Sequence, residues 1–205
     1  MTRTILVPAL ACLAVGCSVL APQPDRSQTF VLTSTPGEGR GRAGGGAALS
    51  VGIGPVVLPS YLTRSEIVRR SGENRLVYDQ NRLWGEPLEQ GFRRVLGEDL
   101  GQTLGTVHVF QYPWSTGLRV EYQIPIQILR FDADESGLVT LNVRWGIRRP
   151  GENDVLSSQE SRIVEAPRDG STGSEVTAMS AAVGRLSDEI ATAIRRVAPA
   201  RRQAR

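Results

Sequence analysis

Apolar residues recur along this chain with two different periods. From Glu86 to Leu104 they fall at Leu88, Phe92, Val95, Leu96, Leu100 and Leu104. That spacing keeps one side of a 3.6-residue turn apolar and predicts a helix. Pro87 suits a first helical turn and Gly105 a carboxyl-terminal stop. A second helix is predicted from about Ser174 to Val197, on the stripe Val176, Met179, Val183, Leu186, Ile190, Ile194 and Val197, which alanines widen. Between the two helices the period drops to two. In the segment Arg119 to Phe131, Val120, Tyr122, Ile124, Ile126 and Ile128 share a face, with Pro125 arguing for an edge or a bulge. Asp132 to Gly137 reads as a turn. Leu138 to Ile147 alternates again, with Val139, Leu141, Val143, Trp145 and Ile147 on one side. After a turn at Pro150 to Asn153, Val155 to Val164 is a third strand, giving an antiparallel meander buried on one side.

The first half of the chain is less regular. Thr29 to Leu32 is a short strand. Pro36 to Gly46 (PGEGRGRAGGG) is too rich in glycine to be a packed element and reads as a flexible loop. Leu49 to Leu58 is an apolar run interrupted by Gly52, Gly54 and Pro55, read as a buried strand. Pro59 to Arg70 is a loop leading into another short strand. Leu76 to Tyr78 and Thr106 to Gln111 are further strands. The order strands, helix, strands, helix predicts one α+β domain over 29–198. Its sheet is expected to be mostly antiparallel or mixed, with two long helices packed on one face.

Residues 1–17 read MTRTILVPALACLAVGC. Arg3 is a short positive region, and Ile5 to Val15 is apolar but too short to span a bilayer, as in a secretory signal. The stretch ends in Leu13-Ala14-Val15-Gly16-Cys17, which resembles a bacterial lipobox. Small Gly16 fits a narrow peptidase pocket, and the Cys17 thiol is the acceptor for a diacylglyceryl group. Alanine stands at position 14, where leucine is usual. Cys12, after Ala11, is a competing acceptor, but cleavage there would cut the apolar stretch short. The expectation is therefore a signal peptide over 1–16, a lipidated tether over 17–28 and a basic tail over 199–205. Ser18 rather than aspartate follows the cysteine, so by analogy with enteric sorting the address is the outer membrane, facing the periplasm. An ordinary cleaved signal without lipid is the alternative.

Composition narrows the chemistry. All 24 basic residues are arginine, so Schiff-base and P-loop lysine chemistry are excluded. His108 is the single histidine, which excludes zinc sites built on several imidazoles, and both cysteines lie within the first 17 residues. The formal charge of +3 is concentrated. Arg195, Arg196, Arg201, Arg202 and Arg205 carry +5 in the last eleven residues, leaving 19 basic against 21 acidic residues elsewhere, a body of −2. A nucleic-acid protein is expected to show a basic stripe on its fold, and none is foreseen. Asp132, Asp134 and Glu135 lack the ligand spacing of a calcium loop and read as a solvated hairpin turn. No G-x-S-x-G motif exists to partner His108. The expectation is no catalytic residue, no cofactor and no metal.

Three segments together resemble the PqiC family, the ABC-type transport auxiliary lipoproteins. Val51 to Val68 (VGIGPVVLPSYLTRSEIV) resembles the family's strand followed by L-P-x-Y-L. Asn81 to Leu88 (NRLWGEPL) is similar to its W-x-x-P-L start of the first helix. Thr29 to Leu32 stands near its short tyrosine-bearing strand, with Phe30 in place of the tyrosine. The Gly-rich loop and the arginine tail are outside the family pattern. The resemblance implies a non-catalytic, outer-membrane-anchored accessory subunit. Its partners would be an MCE-domain membrane protein and an ABC permease and ATPase that move lipid between membranes. A homo-oligomer is a further possibility. An envelope scaffold or assembly lipoprotein unrelated to lipid transport is the alternative. Tyr61, Leu62, Arg64 and Trp84 are the candidate partner contacts, since loops carry function disproportionately; their other reading is packing at the sheet edge.

Overall fold

The structure is a computed structural model, and it describes residues 26–35, 49–115, 117–151 and 155–198. Gly16, Cys17, most of the tether, the Gly-rich segment and the tail lie outside these residues. In chain order the described elements are β1 (Gln28–Phe30), β2 (Val51–Val57), a 3-10 turn (Ser60–Leu62), β3 (Glu66–Ser71) and β4 (Arg75–Trp84). They are followed by α1 (Leu88–Leu104), β5 (Val109–Gln111), β6 (Tyr122–Ala133), β7 (Val139–Arg148), β8 (Val155–Glu165) and α2 (Thr172–Val197).

All eight strands join one mixed sheet, and β6 is its hub. One edge of β6 pairs antiparallel with β7, and β7 with β8, as the alternating pattern predicts. The other edge is shared. β2 runs parallel to the first half of β6, while β3 meets its last residue, Ala133, through Arg69. β5 lies beyond β2, β4 forms a hairpin with β3, and β1 lies beyond β4. The pairs β1–β4, β2–β5, β2–β6 and β3–β6 are parallel, so the sheet is mixed rather than mostly antiparallel.

Pro125 therefore sits in a central strand, not at an edge. It is tolerated because the ladders are interrupted around it. On one side Ile53 faces Ile124 and Val56 faces Ile126, so Gly54 and Pro55 bulge outward opposite Pro125. On the other side no β7 pair falls between Gln123 and Ile126. A missing N–H is not asked for there.

A second irregularity changes which side chains are buried. The β6–β7 register shifts between Ile128 and Arg130, a bulge at Leu129 that reverses side-chain parity. Up to Ile128 the even-numbered residues face the helices. Beyond the bulge Phe131 does, with its ring edge-on to Phe92 of α1 at 5.9 Å. Asp132 is then turned to the opposite face. The expected turn at 132–137 begins two residues late, because Asp132 and Ala133 are still strand.

Both helices lie on that one face. α1 packs on β2 and β5, α2 on β7 and β8, and the two pack on each other. Phe92, Val95, Leu96 and Leu100 of α1 and Val183, Leu186, Ile190 and Ile194 of α2 are fully buried against Ile53, Ile124, Leu141, Val143 and Ile147. Trp145 belongs to this core and donates its Nε1–H to Ser161 Oγ at 2.9 Å. α1 stops at Gly105, whose φ of 67° is a left-handed cap conformation that glycine adopts without strain. α2 starts two residues before the expected Ser174, since the Ser171 hydroxyl caps it by accepting from Ser174 N–H. The stretch after β1 runs between the helices: Arg94 donates to Leu32 O at 2.8 Å, Thr33 N–H to Ser180 Oγ at 3.1 Å, and Ser34 Oγ to Asp99 at 2.6 Å.

Candidate functional site

The two longer motifs of the family resemblance fold to one corner of the domain. Val51 to Val68 becomes β2, the 3-10 turn and the start of β3; Asn81 to Leu88 becomes the end of β4 and the start of α1. They touch directly. Trp84 N–H donates to Ser65 O at 2.7 Å, and Glu66 pairs with Leu83. Val56, Val57, Leu58, Leu62 and Thr63 from one motif and Pro87, Leu88 and Glu89 from the other line a shallow pocket of about 290 Å³.

The four candidate contact residues have different surroundings. Leu62 is 3% exposed and belongs to the core. Trp84 is half-buried at the end of β4, paired with Phe30 of β1. Arg64 is exposed, bonded to Glu66 at 3.0 Å, with its guanidinium 4.3 Å from the Tyr78 ring centre. Tyr61 is half-buried and reaches Asp132, which the Leu129 bulge has turned to the sheet face away from the helices.

That position creates a polar centre the pattern of residues did not disclose. Asp132 has no exposed surface. Tyr61 Oη donates to its Oδ2 at 2.8 Å, Arg70 Nη2 to the same oxygen at 3.1 Å, and Arg130 Nε to Oδ1 at 2.8 Å. Phe131 N–H closes on Tyr61 Oη at 3.4 Å. Burial, then the neighbouring Asp132 charge, pushes the Tyr61 phenol up to about 12. Hydrogen bonding to Asp132 raises the Arg70 guanidinium. With two guanidiniums on one buried carboxylate and a phenol that stays protonated, the centre fixes the 59–65 crossing to β3 and β6. The sequence placed Asp132 in a solvated turn, and only a forecast of the bulge would have moved it inside.

Asp134 and Glu135 are in the turn as expected. Asp134 Oδ1 accepts from Ser136 N–H, Ser136 Oγ and Leu138 N–H at 2.9, 2.6 and 3.0 Å. His108 is an exposed residue just before β5. Among the described residues no group of three or more histidine, cysteine, aspartate or glutamate side chains is placed to hold a metal ion. No described helix is long and apolar enough to cross a membrane.

The comparison that decides the family covers almost all of this architecture. The profile of the ABC-type transport auxiliary lipoprotein component matches residues 30–191, from the end of β1 to the last turns of α2. The chain belongs to that family. Two solved structures share the fold. A Xanthomonas campestris protein of the DUF330 family aligns with a TM-score of 0.66 at 12% identity, over 83% of this chain and 96% of its own. An uncharacterized protein aligns with the same TM-score at 16% identity, over 82% of this chain and 98% of its own. No functionally curated protein matches the chain. Membership makes the protein an auxiliary component of an ABC-type transport system and a lipoprotein by family.

Proposed function

We propose that this protein is a non-catalytic accessory subunit of an MCE/ABC-type system that moves lipid between membranes. Acylated Cys17 holds it at the outer membrane, facing the periplasm. The observation that carries the reading is the family match over 30–191, joined to a chain that begins with its own lipobox-like Leu13 to Cys17. The domain contributes surfaces held rigid by the core. The motif corner is the first of these to test, because Arg64 and the half-buried rings of Tyr61 and Trp84 sit beside one another's segments there. Tyrosine, tryptophan and arginine are the residues most enriched among interface hot spots.

The test is a crosslinking pulldown of the tagged full-length protein from membranes. Recovery of an MCE-domain protein together with a permease or ATPase supports the reading. Recovery of cell-wall or assembly enzymes in their place would return the protein to the scaffold alternative. Arg64→Ala, on an exposed side chain outside the core, should lower that recovery while leaving the melting temperature within about 1 °C of wild type, the scale of a surface change of a few tenths of a kcal/mol. Full recovery with Arg64→Ala would place the interface elsewhere.

A further inference from the structure

The two sides of the sheet differ in charge. α1 and α2, which cover one side, carry five arginines and six acids, a net of −1. On the uncovered side the sign reverses. The charged residues of β6, β7 and β8 turned away from the helices are Arg130, Arg144, Arg148 and Arg162 against Asp132 and Glu160. Arg70 of β3 adjoins them through Asp132, which brings this side to +3. The body of the chain outside its last eleven residues is −2, so the face runs against the charge of the domain. No run of basic residues announces it, because strand alternation assembles the five arginines from four separate strands.

The strand registers place these side chains. Arg130, Asn142 and Arg162 form one row across β6, β7 and β8, and Gln127, Arg144 and Glu160 form another. With neighbouring strands about 4.8 Å apart, the backbones at Arg130 and Arg162 are about 10 Å apart. Both acids on this side are already held by arginine. Asp132 accepts from Arg70 and Arg130, and Glu160 accepts from Arg144 Nε at 2.8 Å. Arg148 and Arg162 are exposed and, among the described residues, form no ion pair. Arg148 Nε meets the neutral Gln123 Oε1 at 3.1 Å. The exposed large apolar residues of these three strands, Val155 and Val164, sit toward the two ends of β8, so the middle of the face is polar.

We propose that this uncovered sheet face docks an acidic protein surface, whose carboxylates are gripped by Arg148 and Arg162 as Glu160 is gripped by Arg144. Guanidiniums favour carboxylates, which they can hold through two parallel hydrogen bonds. Each carboxylate that the chain itself brings to this face is bound by arginine, so the occupant's chemistry follows that of the face's own pairs. Attachment to a bilayer draws on buried apolar area as well as on charge, and the middle of the face has no exposed apolar side chain to insert. Anionic lipid is therefore the competing outcome. The docking face goes beyond the transport reading and does not depend on it.

The test uses the full-length protein in its own cells, with a photoreactive residue in place of Gln127, an exposed and uncharged position opposite Arg144. The expected result is an adduct mapping to a segment of another protein rich in aspartate and glutamate. Combining Arg148→Glu and Arg162→Glu should reduce its yield at least tenfold, whereas Arg196→Glu, at an exposed position at the end of α2, should leave it unchanged. Replacing the mapped acids by arginine should restore the yield of the double variant, a rescue that a misfolded domain could not give. Adducts with lipid or nucleic acid, an adduct on a segment without excess acid, no adduct, an unchanged yield in the double variant, or no rescue would each overturn the proposal. A rescued adduct on a protein unconnected with any transporter would keep the docking face and remove the transport reading.

Discussion

Asp132 shows how much one residue's environment depends on a neighbour's backbone. Buried carboxylates are costly unless paired, and this one is met by two guanidiniums and a phenol. Replacing it by alanine leaves two arginines facing each other without a counter-charge. Asp132→Ala should cost about 3–5 kcal/mol in denaturant melts, and a loss under about 1 kcal/mol would mean that the centre is hydrated rather than closed. Tyr61→Phe keeps the ring and removes one bond to a charged acceptor, so about 1.5–3 kcal/mol is expected by the same measurement. Asp134 contributes to the acid limb of the stability curve. Its burial pushes the carboxyl up, but hydrogen bonds from Ser136 and Leu138 outweigh it and hold the group below the ordinary aspartate range. Its contribution is therefore complete above the unfolded aspartate value of about 3.9 and is lost as pH falls through the lower folded value. Melting temperatures of Asp134→Asn against wild type between about pH 2 and 7 should converge at the acid end and separate above it.

At the scale of elements, both helices and the β6–β7–β8 meander were legible, because one face of each is buried and the period survives. Leu96, on the predicted apolar stripe, is fully buried, and Leu96→Ala should lose about 2–5 kcal/mol of unfolding free energy. The first half was harder. β4 runs for ten residues, of which the pattern predicts only Leu76 to Tyr78, since its burial alternates poorly and charged residues occupy both faces. The parallel pairing of β2 with β6 leaves no local trace, because β3, β4, α1 and β5 lie between the partners in the chain. Leu62 shows the same limit at the site: its loop position suggested a contact, yet the 3-10 turn folds it into the core. In the sequence Gly52 shows only as an interruption of an apolar run. A Cβ there would come 2.6 Å from the Trp114 ring, which covers the outer face of β2. Gly52→Val should therefore destabilise by about 1–3 kcal/mol, the usual cost of overpacking, with Trp114 fluorescence shifting toward the exposed form. An unchanged emission spectrum would show that the ring does not rest on that glycine.

For the whole molecule the first question is attachment. Cys17→Ala should move the protein from the membrane fraction to the soluble periplasmic fraction while its melting temperature stays put, since position 17 precedes the family-matched residues 30–191. Retention in the membrane would point to Cys12 or to a second mode of attachment. The forked pairing of β6 has a consequence for how the chain reaches that state. A polypeptide that emerges amino-terminus first presents β2 at Val51–Val57, but the strand β2 must lie against begins only at Tyr122. β3 can form its hairpin with β4 at once, yet its other edge also waits for Ala133. Closing such long loops costs entropy before any core contact repays it. The first hundred residues to emerge can therefore form a helix and the three-stranded β1–β4–β3 unit, but not the central strand that joins this unit to β2. A chain arranged this way keeps its core open until late in its synthesis, because the strand that joins the two halves of the sheet arrives after both β2 and β3.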